Sequence, residues 1–232
     1  MLILRGYLQD DFMSDEIMFY WFDMDHTLIN NDCDVSWKEY VVKHSLGPAD
    51  SMKKADEFFE QYNRGTLDHE AFLKFQLLEF AGQTESTMQT HSRAHFEEFV
   101  RDKVYADAKN YIAQLRAEGK KTGILTATNT ILAQPLAEYM EVDFLLGTTL
   151  EQRNGVYTGG YLPPFGGGKG KVEIITGFAE RAGVTLADIA YFGDSINDRF
   201  ILEAVGHPFA VNPSPALDAL AEQRGWTKIK FA

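Results

Sequence analysis

The chain has 232 residues, 45% apolar and 24% charged, so it can bury a substantial core and fits one large domain or a core with a small second unit. Its formal net charge of -12 at pH 7 leaves no broad basic face of the kind that nucleic acid or an anionic membrane requires. A single cysteine, Cys33, excludes an internal disulfide, and no apolar run reaches the roughly 18 residues that cross a bilayer.

The opening MLILRGYLQDDF lacks the apolar core of a signal peptide. Residues 1–12 read as a disordered extension ahead of a start at Met13, and a cytoplasmic location is the expectation. Ile17–Phe22 is a continuous apolar run, the mark of a strand buried on both faces. The pattern then turns helical. SWKEYVVKHSLG closes at Gly47 and ADSMKKADEFFEQYNRG at Gly65. DHEAFLKFQLLEFAG runs from Asp68 to Gly82, and TESTMQTHSRAHFEEFVRDKV follows. With no strand among them, residues 36–103 read as an inserted helical cap around Trp37, Phe58, Phe59, Phe72, Phe75 and Phe80.

Beyond the insertion, strands and helices alternate. Asp107–Glu118 is a helix stopped by Gly119, KTGILTAT a strand, and NTILAQPLAEYM a helix with Pro135 within it or kinking its early part. DFLLGT is a short strand, Gly155–Phe165 a turn-rich hairpin candidate, and Lys171–Ala182 a helix ended by Gly183. ADIAYFGD, PFAVN and TKIKF are strands separated by the helices DRFILEAVG and SPALDALAEQRG. This alternation predicts an α/β fold, a doubly wound parallel sheet made from residues 13–35 and 104–232. Asp23, Thr126 and Asp194 each fall at the carboxyl end of a predicted strand, the edge where open α/β sheets bind ligands.

That convergence suits cleavage of a phosphate ester, which needs a nucleophile, an acid for the leaving oxygen, positive charge and oriented donors. Asp23 can be the nucleophile and Asp25 the acid/base, since a carboxyl among carboxylates has a raised pKa. Asp23, Asp25, Asp194 and Asp198 together call for a cation, and Mg²⁺ fits an all-oxygen site. Thr126 offers a hydroxyl, Ala127 and Thr128 offer N–H groups beside a helix start, and Lys171 offers positive charge.

Singly, these features have plainer readings. An Asp-x-Asp pair is often a solvated turn or a glycosyltransferase metal motif. Cys33 reads as a small buried filler, and His91 with His95 as an exposed helix face. GGGKGK lacks the complete P-loop pattern. FGDSIND also resembles the nucleophile block of Gly-Asp-Ser lipases and esterases, which would make Ser195 the nucleophile. Only His207 lies downstream, beside Pro208 and with no Asp two residues before it.

Four motifs in order, DMDHT, LTATN, GKGKV and FGDSIND, resemble those of the haloacid dehalogenase-like phosphatases. The similar branch is subfamily IB, the phosphoserine-phosphatase-like group, whose helical cap follows the first motif. The resemblance covers nearly the whole chain from Met13. It implies that Asp23 is the nucleophile and Asp25 the acid/base. It also implies Mg²⁺ held by Asp23, Asp194 and the Asp25 carbonyl, with Asp198 in support and Asn197 completing the last motif. His26 stands where the family usually has Gly. The pattern favours Lys171 as the site lysine, with Lys169 the alternative. Asp32 matches an acid that contacts a substrate amine, and Gln76 stands where phosphoserine phosphatases place an arginine for the substrate carboxylate. A Gln cannot replace that charged fork. The expected partner is therefore a small phosphorylated metabolite bearing an amine. Histidinol phosphate fits, and phosphoserine remains open if Arg64, Lys74 or Arg93 substitutes. A phosphotransferase or mutase would use the same groups. The chain is expected to be a monomer or homodimer.

Overall fold

The computed structural model describes residues 17–63 and 68–232. The expected extension at 1–12, the start at Met13 and Arg64 lie outside the described residues. The strands are β1 (Phe19–Phe22), β2 (Lys121–Asn129), β3 (Phe144–Arg153), β4 (Val156–Leu162), β5 (Ile189–Gly193), β6 (His207–Val211) and β7 (Thr227–Ile229). They form one sheet in the order β4-β3-β2-β1-β5-β6-β7. Every neighbouring pair is parallel except β3 with β4. The order reverses around β1, so β1, β2 and β5 deliver their carboxyl ends to the switch point.

β1 shows why an aromatic run suits the sheet's centre. Alternate side chains take opposite faces of a strand. Tyr20 and Phe22 enter a core layer with Ile112, Leu136 and Phe192. Trp21 enters the opposite layer with Leu125, Ile175, Tyr191 and Leu217. On the sheet's faces lie α5 (Ala106–Ala117), α6 (Thr130–Met140), α7 (Lys169–Ala182), the short α8 (Arg199–Leu202) and α9 (Pro215–Arg224).

Between β1 and α5 run α1 (Cys33–Lys43), α2 (Ser51–Asn63), α3 (His69–Gln76) and α4 (Glu85–His95). The first begins at Cys33 rather than Ser36, because the Asp32 carboxylate accepts from Val35 N at 3.0 Å and caps the helix there. The fourth does not run unbroken to Val104. It widens over Phe96–Val100 and tightens over Arg101–Lys103. Trp37, Tyr40, Phe80 and Met88 share one apolar cluster with Leu132 of α6, Leu150 of β3 and Tyr157 of β4. Phe58 packs separately against Phe72 and Phe75, with ring centroids 5.6 and 5.3 Å apart.

The hairpin is longer than its sequence suggested. β3 continues to Arg153, and Asn154–Gly155 turns it back with φ of 52° and 79°. Two successive left-handed residues make the hairpin turn that Asn-Gly favours. β4 then bridges to the helices: Gly82 N donates to Tyr157 O at 2.8 Å, and Tyr157 N donates to Gln83 O at 2.9 Å. Pro135 lies inside α6 and cannot donate to the carbonyl four residues back. That carbonyl, Ile131 O, accepts the Ser92 hydroxyl of α4 at 2.6 Å.

Candidate active site

The site grows from three strand ends. Asp23 follows β1, and its N–H donates to Phe192 O of β5 at 2.8 Å. The chain then turns sharply, with His26 at a φ of 58°. This is the left-handed conformation that favours glycine, so the family's usual residue here has a backbone reason. On the neighbouring strand, pairing of β2 with β3 shifts between Thr126 and Asn129. The irregularity leaves Ala127 and Thr128 out of the ladder at the strand's carboxyl end.

Lys171 joins the groups. Its Nζ donates to Asp23 Oδ1 at 2.8 Å, to Asp198 Oδ1 at 2.6 Å and to the Tyr191 hydroxyl at 2.7 Å. It lies in the first turn of α7 and is 3% exposed. Lys169 is exposed, with its Nζ 5.5 Å from the centre of the Phe200 ring. Asp198 also accepts from Tyr191 OH at 3.1 Å and, through Oδ2, from Ser195 N at 3.3 Å. A Cβ on Gly193 would meet Asp198 Oδ2 at 2.6 Å, so only glycine lets this turn close against β5. Thr27 Oγ1 donates to Asp194 Oδ1 at 3.4 Å.

Asp25 belongs to a separate set of bonds. Cys33 N donates to its Oδ1 at 2.8 Å, and Thr128 Oγ1 donates to its Oδ2, also at 2.8 Å. Thr126 Oγ1 accepts from Thr128 N at 3.1 Å. The Thr128 N–H expected for a ligand is therefore bonded internally, while the Thr126 hydroxyl keeps its own proton to donate.

The electrostatics follow from crowding. Burial pushes Asp23 up to about 6, with Lys171 pulling it down and Asp198 pushing it up. Burial, then Asp23 and Asp198, pushes Asp194 up to about 8. Asp25 stands well above the usual carboxylate range, through burial first and then Asp32, Asp23 and Asp34. Asp34 reaches about 7 through burial and Asp32, restrained by Lys38. Burial disfavours the Lys171 ammonium, but Asp198 and Asp23 outweigh it and raise its pKa.

One oxygen each from Asp23, Asp194 and Asp198 lie within 4.8 Å of one another. This is the one such cluster of potential metal ligands among the described residues. Three carboxylates face one ammonium, and a divalent cation would balance the excess. The all-oxygen set fits Mg²⁺.

The other expected residues sit apart from this network. Asp32 caps α1 at the surface, one residue before the Cys33 N–H that holds Asp25. Gln76 is 8% exposed on α3, and its Oε1 has no partner. Asn197 is exposed on the turn before α8, its N–H on Ser195 Oγ at 3.2 Å. His91 and His95 form no metal pair. His91 Nδ1 bonds Tyr40 OH, and His95 Nε2 bonds Ser36 Oγ. Their helix face is not the exposed one expected, since His95 is 1% exposed. Burial holds the Cys33 thiol above its usual range, in keeping with a filler. Thr27, Tyr191 and the Cys33 N–H were missed from the sequence. Thr27 was signalled by its place in DMDHT; Tyr191 reads as an ordinary strand aromatic.

The family model of the haloacid dehalogenase-like hydrolases matches residues 21–203. A histidinol-phosphatase of Neisseria meningitidis is 29% identical over 215 residues, covering 90% of this chain and 97% of its own. A phosphoserine phosphatase of Mycobacterium tuberculosis is 26% identical over 211 residues, covering 89% of this chain and 68% of its own. A Bordetella pertussis protein of unknown function superposes with a TM-score of 0.85 at 31% identity, covering 91% of this chain and 97% of that one. A substrate-bound phosphoserine phosphatase shares the fold with a TM-score of 0.66 at 18% identity, covering 92% and 93%. The matched stretch begins within β1 and ends just past α8, so it takes in every group that meets Asp23 and Asp25, and the chain belongs to the haloacid dehalogenase-like hydrolases.

Proposed function

We propose that this hydrolase is a Mg²⁺-dependent phosphatase that cleaves a small phosphomonoester bearing an amine or imidazole, with histidinol phosphate the best fit. The observation that carries it is the division of labour between two neighbouring carboxylates. Asp23 is paired with the Lys171 ammonium, while Asp25 is held apart by Cys33 N and Thr128 Oγ1. An Asp23 oxygen attacks phosphorus and the ester P–O bond breaks. Asp25, kept protonated by its raised pKa, gives its proton to the leaving oxygen. Water then attacks the aspartyl-phosphate, Asp25 takes the water's proton, and Asp23 is released with inorganic phosphate. Lys171 places a positive charge beside the phosphoryl group, and Thr126 Oγ1 supplies a donor to its oxygens. Asp23, Asp194 and the Asp25 carbonyl would hold Mg²⁺, which neutralises phosphoryl charge; Asp198 holds Lys171. The helical insertion, α1–α4, acts as the cap over the cleft.

The substrate follows from charge. Asp32 and Asp34 lie close enough to Asp25 to raise its pKa, which favours a cationic substrate group. Gln76 offers no charged fork for a carboxylate. Similarity to the histidinol-phosphatase over nearly the full length of both chains supports the same reading. A panel of phosphorylated metabolites assayed with Mg²⁺ tests it. Histidinol phosphate should be turned over with the highest kcat/KM, and Asp23→Asn should abolish turnover. A clear preference for phosphoserine would defeat the substrate assignment, and an active Asp23→Asn enzyme would defeat the mechanism.

A further inference from the structure

We infer that Tyr191 is a positioning residue that fixes the Lys171 ammonium, an inference that rests on the phosphatase reading above. A lysine ammonium has three N–H donors, and here each has an acceptor: Asp23 Oδ1, Asp198 Oδ1 and Tyr191 OH. Two acceptors define only a line, about which Nζ could swing on a four-carbon stem. The third contact removes that freedom. Tyr191 is suited to give it, because its ring is fully buried in the layer with Trp21, Leu125 and Ile175. The phenol passes its own proton to Asp198 Oδ1 at 3.1 Å, with Leu125 O 3.4 Å away, and so presents a lone pair to Lys171. Lys171, Tyr191 and Asp198 thus close a triangle of hydrogen bonds. The neutrality of the third acceptor also matters. Another carboxylate would add a negative charge beside a site that must receive a phosphate ester. A hydroxyl locates the ammonium without spending its charge.

The contrary reading is that Lys171 and Asp198 merely satisfy a buried hydroxyl. Tyr191→Phe separates the two, because it keeps the ring and deletes the oxygen. Kinetics are measured on the best substrate of the panel, with thermal unfolding in parallel. Positioning predicts kcat lower by about tenfold, KM within about twofold and a nearly unchanged Tm, because the displaced ammonium weakens charge stabilisation in the transition state. Unchanged kcat would overturn the inference. So would a loss of activity that follows a loss of folded protein. A second readout needs no turnover: the ¹⁵N ammonium resonance of Lys171, assigned with Lys171→Arg. A triply bonded buried ammonium exchanges slowly and should stay visible near neutral pH in the wild type, then broaden in Tyr191→Phe. An identical resonance in both proteins would refute positioning. If the wild type proves inactive on every phosphoester, the phosphatase reading fails while this signal still decides how Lys171 is held.

Discussion

His95 is held neutral down to about pH 4 by burial, with Lys103 adding to the effect and Glu98 opposing it. Its usual value lies near 6.5, so the unfolded chain binds a proton that the folded chain refuses throughout the interval between. Stability contributed by the neutral ring is therefore present above about 6.5 and lost as pH falls toward about 4, a loss on the order of 3 kcal/mol. His95→Gln, which retains a polar partner for Ser36, should flatten that part of the stability profile in urea titrations. Equal acid sensitivity in both proteins would contradict the assignment. The choice between Lys169 and Lys171 also belongs to this scale. Both letters are visible in GKGK, but two residues along a helix differ by roughly 200° in direction. Only one can face Asp23, and the start of α7 at Lys169 determines which. Asp32 was legible as an acid near the site. Its work as a helix cap was not, because its bond is to a backbone N–H that no side-chain pattern announces.

Among the elements, β1, β2 and β5 were readable because buried parallel strands are apolar runs with abrupt ends. Asp23, Thr126 and Asp194 could be placed from those ends alone. The β3–β4 hairpin extends beyond its expected span, because the end of β3, Thr149–Arg153, is largely polar and carries no apolar run to mark it as strand before the Asn154–Gly155 turn. α6 carries the clearest test at this scale. Pro135 leaves Ile131 O without its helical donor, and Ser92 provides one from α4. Ser92→Ala should cost about 1–2 kcal/mol in chemical denaturation, the effect of a buried carbonyl left unpaired. No change in the midpoint would mean that another donor reaches Ile131 O.

At the scale of the whole molecule, two crowded carboxylates, Asp23 and Asp194, make the metal-free protein pH-sensitive in the opposite sense to His95. The folded-state values of Asp23, about 6, and Asp194, about 8, lie above their ordinary 3.8. The folded protein keeps protons that the unfolded chain has released, so stability falls as pH rises from about 4 to about 8. Mg²⁺ should relieve this repulsion. Its rise in Tm should be larger at about pH 8 than at about pH 5, where protons compete for the same oxygens. A rise independent of pH would place the ion elsewhere.

The bond from Ser92 to Ile131 has a further consequence for breathing on slow timescales. Through it α4 is tied to α6, and through the Gly82–Tyr157 and Gln83–Tyr157 backbone bonds the segment before α4 is tied to the sheet. By contrast, α2 and α3 have a small aromatic cluster of their own. Local opening should then divide the insertion unequally, with α2 and α3 fluctuating as one unit and α4 at rest with the strands. Amide hydrogen exchange would record this as sheet-like protection in α4 and faster exchange in α2 and α3. Uniform protection across the insertion would instead show it moving as one body.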